Sequence, residues 1–135
     1  MKMLVLSSFG FKYGVPHDAN YVFDVRFVPN PFYVAELRLL TGMDEPVRQY
    51  LGSCEETGSF LASSMLFLKY VISRYFRTER EVLHVAVGCT GGRHRSVALV
   101  EWLGEHFRGE GISAGIGVDF AVELHHRDVG ETPEP

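Results

Sequence analysis

The chain has 135 residues, a length that suits one compact domain and leaves no room for a second. Hydrophobic residues make up 46% and charged residues 22%, which excludes a disordered chain. A net charge of −4 excludes a generally basic nucleic-acid binder, although thirteen Lys and Arg can still gather in a local patch.

Residues 3–7 read as a first strand. Lys2 is followed by only four apolar residues before Ser7, too few for a signal-peptide core or a membrane span, so a cytoplasmic protein is expected. The loop Ser8-Phe9-Gly10-Phe11-Lys12-Tyr13-Gly14 comes next, its glycines suited to close backbone approach. Residues 21–28, rich in Val, Phe and Tyr, predict a second extended segment that Pro29-Asn30-Pro31 stops. Short helices follow, one opened by Asp44 as cap with Pro46 in its first turn.

Over residues 59–77 a helical wheel gathers Ser59, Ser63, Lys69, Ser73, Arg74 and Arg77 in one arc, opposite Phe60, Phe67, Leu68, Val71, Ile72, Tyr75 and Phe76, with Leu66 and Tyr70 intruding on the polar side. This predicts a long amphipathic helix whose aromatic stripe belongs to the core. A strand over residues 82–87 precedes a helix over 95–108, with Val97, Val100, Leu103 and Phe107 directed inward. Residues 109–117 are a glycine-rich break. From Val118 to Leu124 apolar and polar residues alternate, as on a strand with one wet face or at a sheet edge. The domain is expected to span residues 1–129, with 130–135 an acidic, proline-containing tail without fixed structure. Strands separated by helices predict an α/β fold of three layers, a mostly parallel sheet with helices on both faces. In such sheets ligands bind at the carboxyl ends of strands.

The segment Gly88-Cys89-Thr90-Gly91-Gly92-Arg93-His94-Arg95-Ser96 lies at such an end. A strand that passes through a glycine-rich turn into a helix aims backbone N–H groups and the positive end of the helix dipole at one point, which suits a phosphate or similar anion. Arg93, His94 and Arg95 add side-chain donors, and three basic residues at a helix N-terminus are unfavourable unless an anion is bound. The spacing is not GxxxxGK[ST], so a nucleotide-binding P-loop is a poor match.

The same segment reads CxxGxxRS, which looks like the signature of cysteine-dependent phosphatases. In that alternative Cys89 is the nucleophile, Arg95 the phosphoryl clamp, Ser96 a hydroxyl partner of the thiolate and Asp24 the general acid. Gly88 stands where those enzymes usually carry a histidine. The bland reading makes Cys89 a small buried residue at a strand end. Asp24 and Arg26, two apart on a strand, share one face, where they form an internal ion pair or Asp24 accepts hydrogen bonds from ligand hydroxyls or an amine. His17, His84 and His106 have no readable partner, and His125 and His126 point to opposite faces of a strand. Neither Cys54 nor Cys89 has a second ligand at metal spacing; no metal and no cofactor are expected.

Taken in order, the Ser8–Gly14 loop, Asp24-Val25-Arg26-Phe27-Val28-Pro29-Asn30-Pro31, Leu37-Arg38, Thr41-Gly42-Met43-Asp44, the segment 88–96 and His126-Arg127-Asp128 resemble the C-terminal domain of the RapZ family of RNase adapter proteins. The resemblance covers nearly the whole chain. It implies an α/β domain similar to a phosphofructokinase subdomain that binds glucosamine-6-phosphate and small regulatory RNA, presents the RNA to an endoribonuclease, and assembles into oligomers. It implies a binding domain rather than an enzyme. Full-length members carry an N-terminal P-loop domain, so the chain would be a free-standing second domain or a nucleotide-binding partner of a separate P-loop protein. The family's sugar-phosphate pocket maps onto Asp24, Thr90, Gly91 and Arg95. Lys12, Arg26, Gly92, His94 and Ser96 complete the expected ligand-binding set.

Overall fold

The first apolar run forms strand β1, Lys2–Gly10, in the computed structural model, which describes residues 1–110 and 116–133. It extends beyond Ser7 because Ser8, Phe9 and Gly10 find ladder partners in Val87, Gly88 and Cys89. The other elements are β2 (Tyr21–Asp24), α1 (Glu45–Gly52), α2 (Glu55–Tyr75), β3 (Val82–Cys89), α3 (Arg95–Glu110) and β4 (Phe120–His126). The four strands lie in the order β2-β3-β1-β4 and every neighbouring pair is parallel, as expected of an α/β domain. Of the glycine-rich break, residues 111–115 lie outside the described residues.

β2 is shorter than the extended segment expected over 21–28. Asp24 ends it: its Oδ1 accepts from the backbone N–H of Arg26 at 3.0 Å, and the chain turns so that Val28 N–H donates to the Val25 carbonyl. A side chain bonding its own backbone two residues on is the usual way an Asp competes with a ladder. Helix α2 begins a turn earlier than the wheel predicts, with Glu55 and Glu56 placed where the helix dipole favours negative charge. Its Leu68 and Ile72 are fully buried, whereas Leu66 and Tyr70 stand out in solvent. Pro46 sits in the first turn of α1, but Asp44 turns its Oδ2 back to the N–H of Thr41 rather than to the first-turn amides.

The steps from β2 to β3 and from β3 to β4 cross the sheet in the same direction, so right-handed crossovers place α1, α2 and α3 together. They bury Leu4, Leu6, Leu83, Val85 and Val87 against Leu51, Leu68, Ile72, Leu99 and Leu103 in one core. Burying each such side chain stabilises the fold by about 1.5–3 kcal/mol, which sets the sheet's register against slippage. The step from β1 to β2 runs the other way, and its connection passes over the opposite face, where the 3-10 turn Phe11–Tyr13 sets Phe11 edge-on to Phe9 at 4.8 Å. The parallel arrangement brings the carboxyl ends of β1, β2 and β3, at Gly10, Asp24 and Cys89, to one edge.

Candidate anion-binding site

Residues 90–94 link β3 to α3 at that edge. Gly92 has a φ of +73°, and a Cβ there would lie 2.5 Å from the Gly10 backbone nitrogen, so the loop closes directly onto the end of β1. Gly88, where thiol phosphatases carry a histidine, faces the rings of Phe9 and Phe11; a Cβ would stand 2.4 and 2.6 Å from them. Loss of the histidine is therefore a packing requirement of the connection between β1 and β2. Among the described residues, none accepts a hydrogen bond from the backbone N–H of Gly91, Gly92, Arg93 or His94. Unpaired N–H groups at a strand-to-helix turn are the donors of an anion cradle.

Arg95 sets the electrostatics. It is only 4% exposed, and its Nη1 donates to the carbonyls of Arg26 and Val28 at 3.0 Å each while Nη2 reaches Thr90 Oγ1 at 3.3 Å. Its buried Nε has no acceptor. Carbonyl and hydroxyl dipoles orient the guanidinium without neutralising it, and a buried charge left so costs several kcal/mol. The neighbouring basic residues are engaged elsewhere. Arg93 Nε donates to Leu40 O at 3.0 Å, Nη1 to Val129 O at 3.3 Å and Glu131 O at 3.1 Å, and Nη2 to Leu39 O. His94 Nε2 pairs with Leu37 O at 3.1 Å, and burial pushes the ring's pKa below its ordinary value. Of the three basic residues expected to crowd the helix start, only Arg95 is thus not drawn off to residues 37–40, and with the His94 ring tied to Leu37 O only its backbone N–H is left as a candidate donor.

Around Arg95 the other sequence candidates converge. Thr90 and Gly91 flank it, and the Lys12 backbone N–H donates to Thr90 O at 3.1 Å, fastening the β1–β2 connection to the loop. The Lys12 ammonium itself is out over the Tyr13 ring, 5.8 Å from its centroid. Asp24 and Arg26 form the ion pair in bidentate geometry, Nε to Oδ1 at 2.9 Å and Nη2 to Oδ2 at 2.7 Å, with the guanidinium 4.1 Å from the Phe11 centroid. Arg26's hydrogen bonds hold the Asp24 carboxyl below the usual carboxylate range, with the Arg95 charge a lesser contribution. Cys89 is 2% exposed and its Sγ lies 3.1 Å from Ser96 Oγ, the contact that the phosphatase spacing anticipates. Between loop and strand ends lies a notch of about 10 Å³ lined by Asn30, Cys89, Gly91, Arg93, His94 and Arg95. That is room for one oxygen-sized group. Asn30 reads in the sequence only as part of a strand stop; an amide between two prolines is the one signal that marks it.

A larger cavity, about 380 Å³, opens on the opposite face beside Val5, Val82 and Pro16. Its polar side chains pair with one another: Ser7 Oγ with His84 Nε2 at 2.7 Å, His84 with Asp18 at 3.5 Å, His125 with Glu123 at 3.4 Å. His84 therefore has the partner the sequence did not reveal, and His126 turns to the helical face, between Ser8 at 2.7 Å and Glu101 at 2.7 Å. Among the described residues no group of His, Cys, Asp or Glu is arranged to hold a metal, and no helix is long and apolar enough to cross a membrane.

His94 gives a pH prediction. Its folded-state pKa lies below the unfolded value of 6.5, so the unfolded chain binds the extra proton first and stability falls as pH drops below about 6.5. The urea midpoint of the wild type should decline between pH 7 and pH 5 more steeply than that of His94→Gln. Parallel curves for the two proteins would refute it.

These features define a class: a parallel α/β domain whose glycine-rich strand end opens a helix over a buried arginine. Within that class the RapZ C-terminal domain matches residues 2–130, and the chain belongs to that family. A nucleotide-binding protein of Thermoanaerobacter sp. strain X514 is 48% identical over 126 residues, covering 93% of this chain and 42% of the relative. Similar relatives of the same description come from Caldanaerobacter subterraneus, 47% identical over 124 residues (92% and 41%), and Bacillus cytotoxicus, 45% over 122 (90% and 39%). The chain spans about two fifths of the length of these relatives.

Proposed function

We propose that the domain is a regulatory sensor that binds a phosphorylated small molecule, of the amino-sugar phosphate kind such as glucosamine-6-phosphate, on the loop 88–96. One observation carries this reading: Arg95, 4% exposed, keeps a buried Nε without an acceptor beside unpaired backbone N–H groups. A phosphoryl oxygen supplies both the acceptor and the missing negative charge. Asp24, held ionised at the same edge, is suited to the sugar's hydroxyl or ammonium group. The relatives described as nucleotide-binding proteins make a nucleotide phosphate the natural competitor ligand. The adapter role extends the proposal to small RNA and an endoribonuclease as partners of an oligomeric, cytoplasmic protein; at a net charge of −4, RNA contact would rest on local phosphate pairing and be strongest at low salt. A melting temperature raised by glucosamine-6-phosphate and not by glucosamine tests the core of the reading, because a ligand that binds only the folded state must stabilise it.

The contact between Cys89 and Ser96 at 3.1 Å favours thiol phosphatase chemistry as the second reading. A leaving alkoxide needs a proton, and Asp24, the carboxyl expected in the general-acid role, is held as the carboxylate by Arg26. Binding without turnover follows. An aryl phosphate should be released by the wild type no faster than by Cys89→Ser. Hydrolysis that disappears on this substitution would replace the sensor with an enzyme.

A further inference from the structure

We propose that Asn30 is a specificity-determining ligand residue, its carboxamide Nδ2 donating to the phosphoryl oxygen that enters the notch beside Arg95. The inference rests on the anion-binding reading above and adds a neutral donor to the charged one.

Asn30 stands between Pro29 and Pro31 and caps the 3-10 turn Pro31–Tyr33. Its Oδ1 accepts from the Phe32 N–H at 3.1 Å. Only an oxygen can accept there, so the orientation of the amide is fixed and Nδ2 lies on the other side of Cγ. Among the described residues Nδ2 has no acceptor. The flanking prolines hold the backbone: ring closure restricts φ on both sides and the residue sits at φ −95° and ψ 115°. The amide is therefore placed in advance, which spares the ligand the cost of ordering it.

The same residue lines the notch with Cys89, Gly91 and Arg95. Asn30 with its unpaired Nδ2, Gly91 with its unpaired N–H and Arg95, whose buried Nε also lacks an acceptor, thus line one oxygen-sized space together. A phosphate monoester matches such a set, because a terminal oxygen with several lone pairs accepts from all three while its sister oxygens remain for the rest of the loop.

Isothermal titration with inorganic phosphate and with glucosamine-6-phosphate tests the assignment on wild type, Asn30→Ser, Asn30→Asp and Arg95→Ala. Serine and aspartate keep a capping oxygen for the Phe32 N–H, so both variants should melt within a few degrees of the wild type. Affinity should fall about tenfold or more in Asn30→Ser, whose hydroxyl ends one bond short of where Nδ2 stood, and further in Asn30→Asp, which sets a carboxylate oxygen where Nδ2 was. If Asn30→Ser, or Asn30→Asp should the serine variant not fold, binds as the wild type does while Arg95→Ala does not, Asn30 is a cap and nothing more. A wild type that binds neither ligand overturns the anion reading and this inference with it.

Discussion

Arg95→Ala is expected to abolish the stabilisation that the proposed function assigns to glucosamine-6-phosphate and to weaken phosphate binding by about a hundredfold or more, since each hydrogen bond from a charged donor is worth about 1.5–3 kcal/mol. Calorimetric titration measures the effect directly. Arg95→Lys separates charge from shape: a point charge replaces the fork that now donates to Arg26 O, Val28 O and Thr90 Oγ1, so affinity should fall between the wild type and the alanine variant. Stability of the ligand-free protein is a second readout. Alanine removes an uncompensated buried charge but strands two carbonyls, and these oppose each other, so the melting temperature moves far less than the affinity. Unchanged phosphate affinity in Arg95→Ala would end the anion-binding reading.

Gly92→Ala is the substitution expected to damage the fold most at the site. Its φ of +73° strains any residue with a side chain, and the added carbon would lie 2.5 Å from Gly10 N and 2.8 Å from Phe9 C, backbone atoms that cannot swing aside. Strain of about 1–3 kcal/mol and overpacking of about the same size together take a large share of the roughly 5–15 kcal/mol that holds a typical domain folded. The urea midpoint should drop accordingly, and the folded fraction should bind phosphate weakly because β1 and the loop no longer meet. A midpoint within 0.2 M of the wild type, against a slope of about 1–3 kcal/mol per molar urea, would show that the close approach carries no energy.

Much of the architecture was legible because burial leaves a pattern in sequence. Val97, Val100, Leu103 and Phe107 are buried on α3 as the helical period requires, and the apolar run 82–87 became a central strand with Leu83, Val85, Ala86 and Val87 buried. The end of β2 was not legible, because a single hydrogen bond from Arg26 N–H to the Asp24 side chain decides it. The basic run Arg93-His94-Arg95 was legible as composition and illegible as electrostatics. Two of its side chains are satisfied by carbonyls of residues 37–40, more than fifty positions away, and that pairing is tertiary. Asn30 stayed hidden for the same reason: only the fold brings a loop after β2 against the start of α3.

Arg93 joins the site to the far end of the chain. One guanidinium from the anion loop holds the carbonyls of Leu39 and Leu40 on one side and those of Val129 and Glu131 on the other. Asp128, next to them, accepts from the Gly10 N–H at 2.8 Å, while Glu131 N–H closes a turn onto Asp128 O. Residues that look like the start of a dispensable tail are thus bolted to the loop 88–96 through their own main-chain carbonyls, so substituting the side chains of Val129 or Glu131 leaves the tie in place. For anyone engineering this domain, a fusion point or stop codon set at residue 129 cuts through the site's own scaffold, and the safe cut lies beyond Glu131.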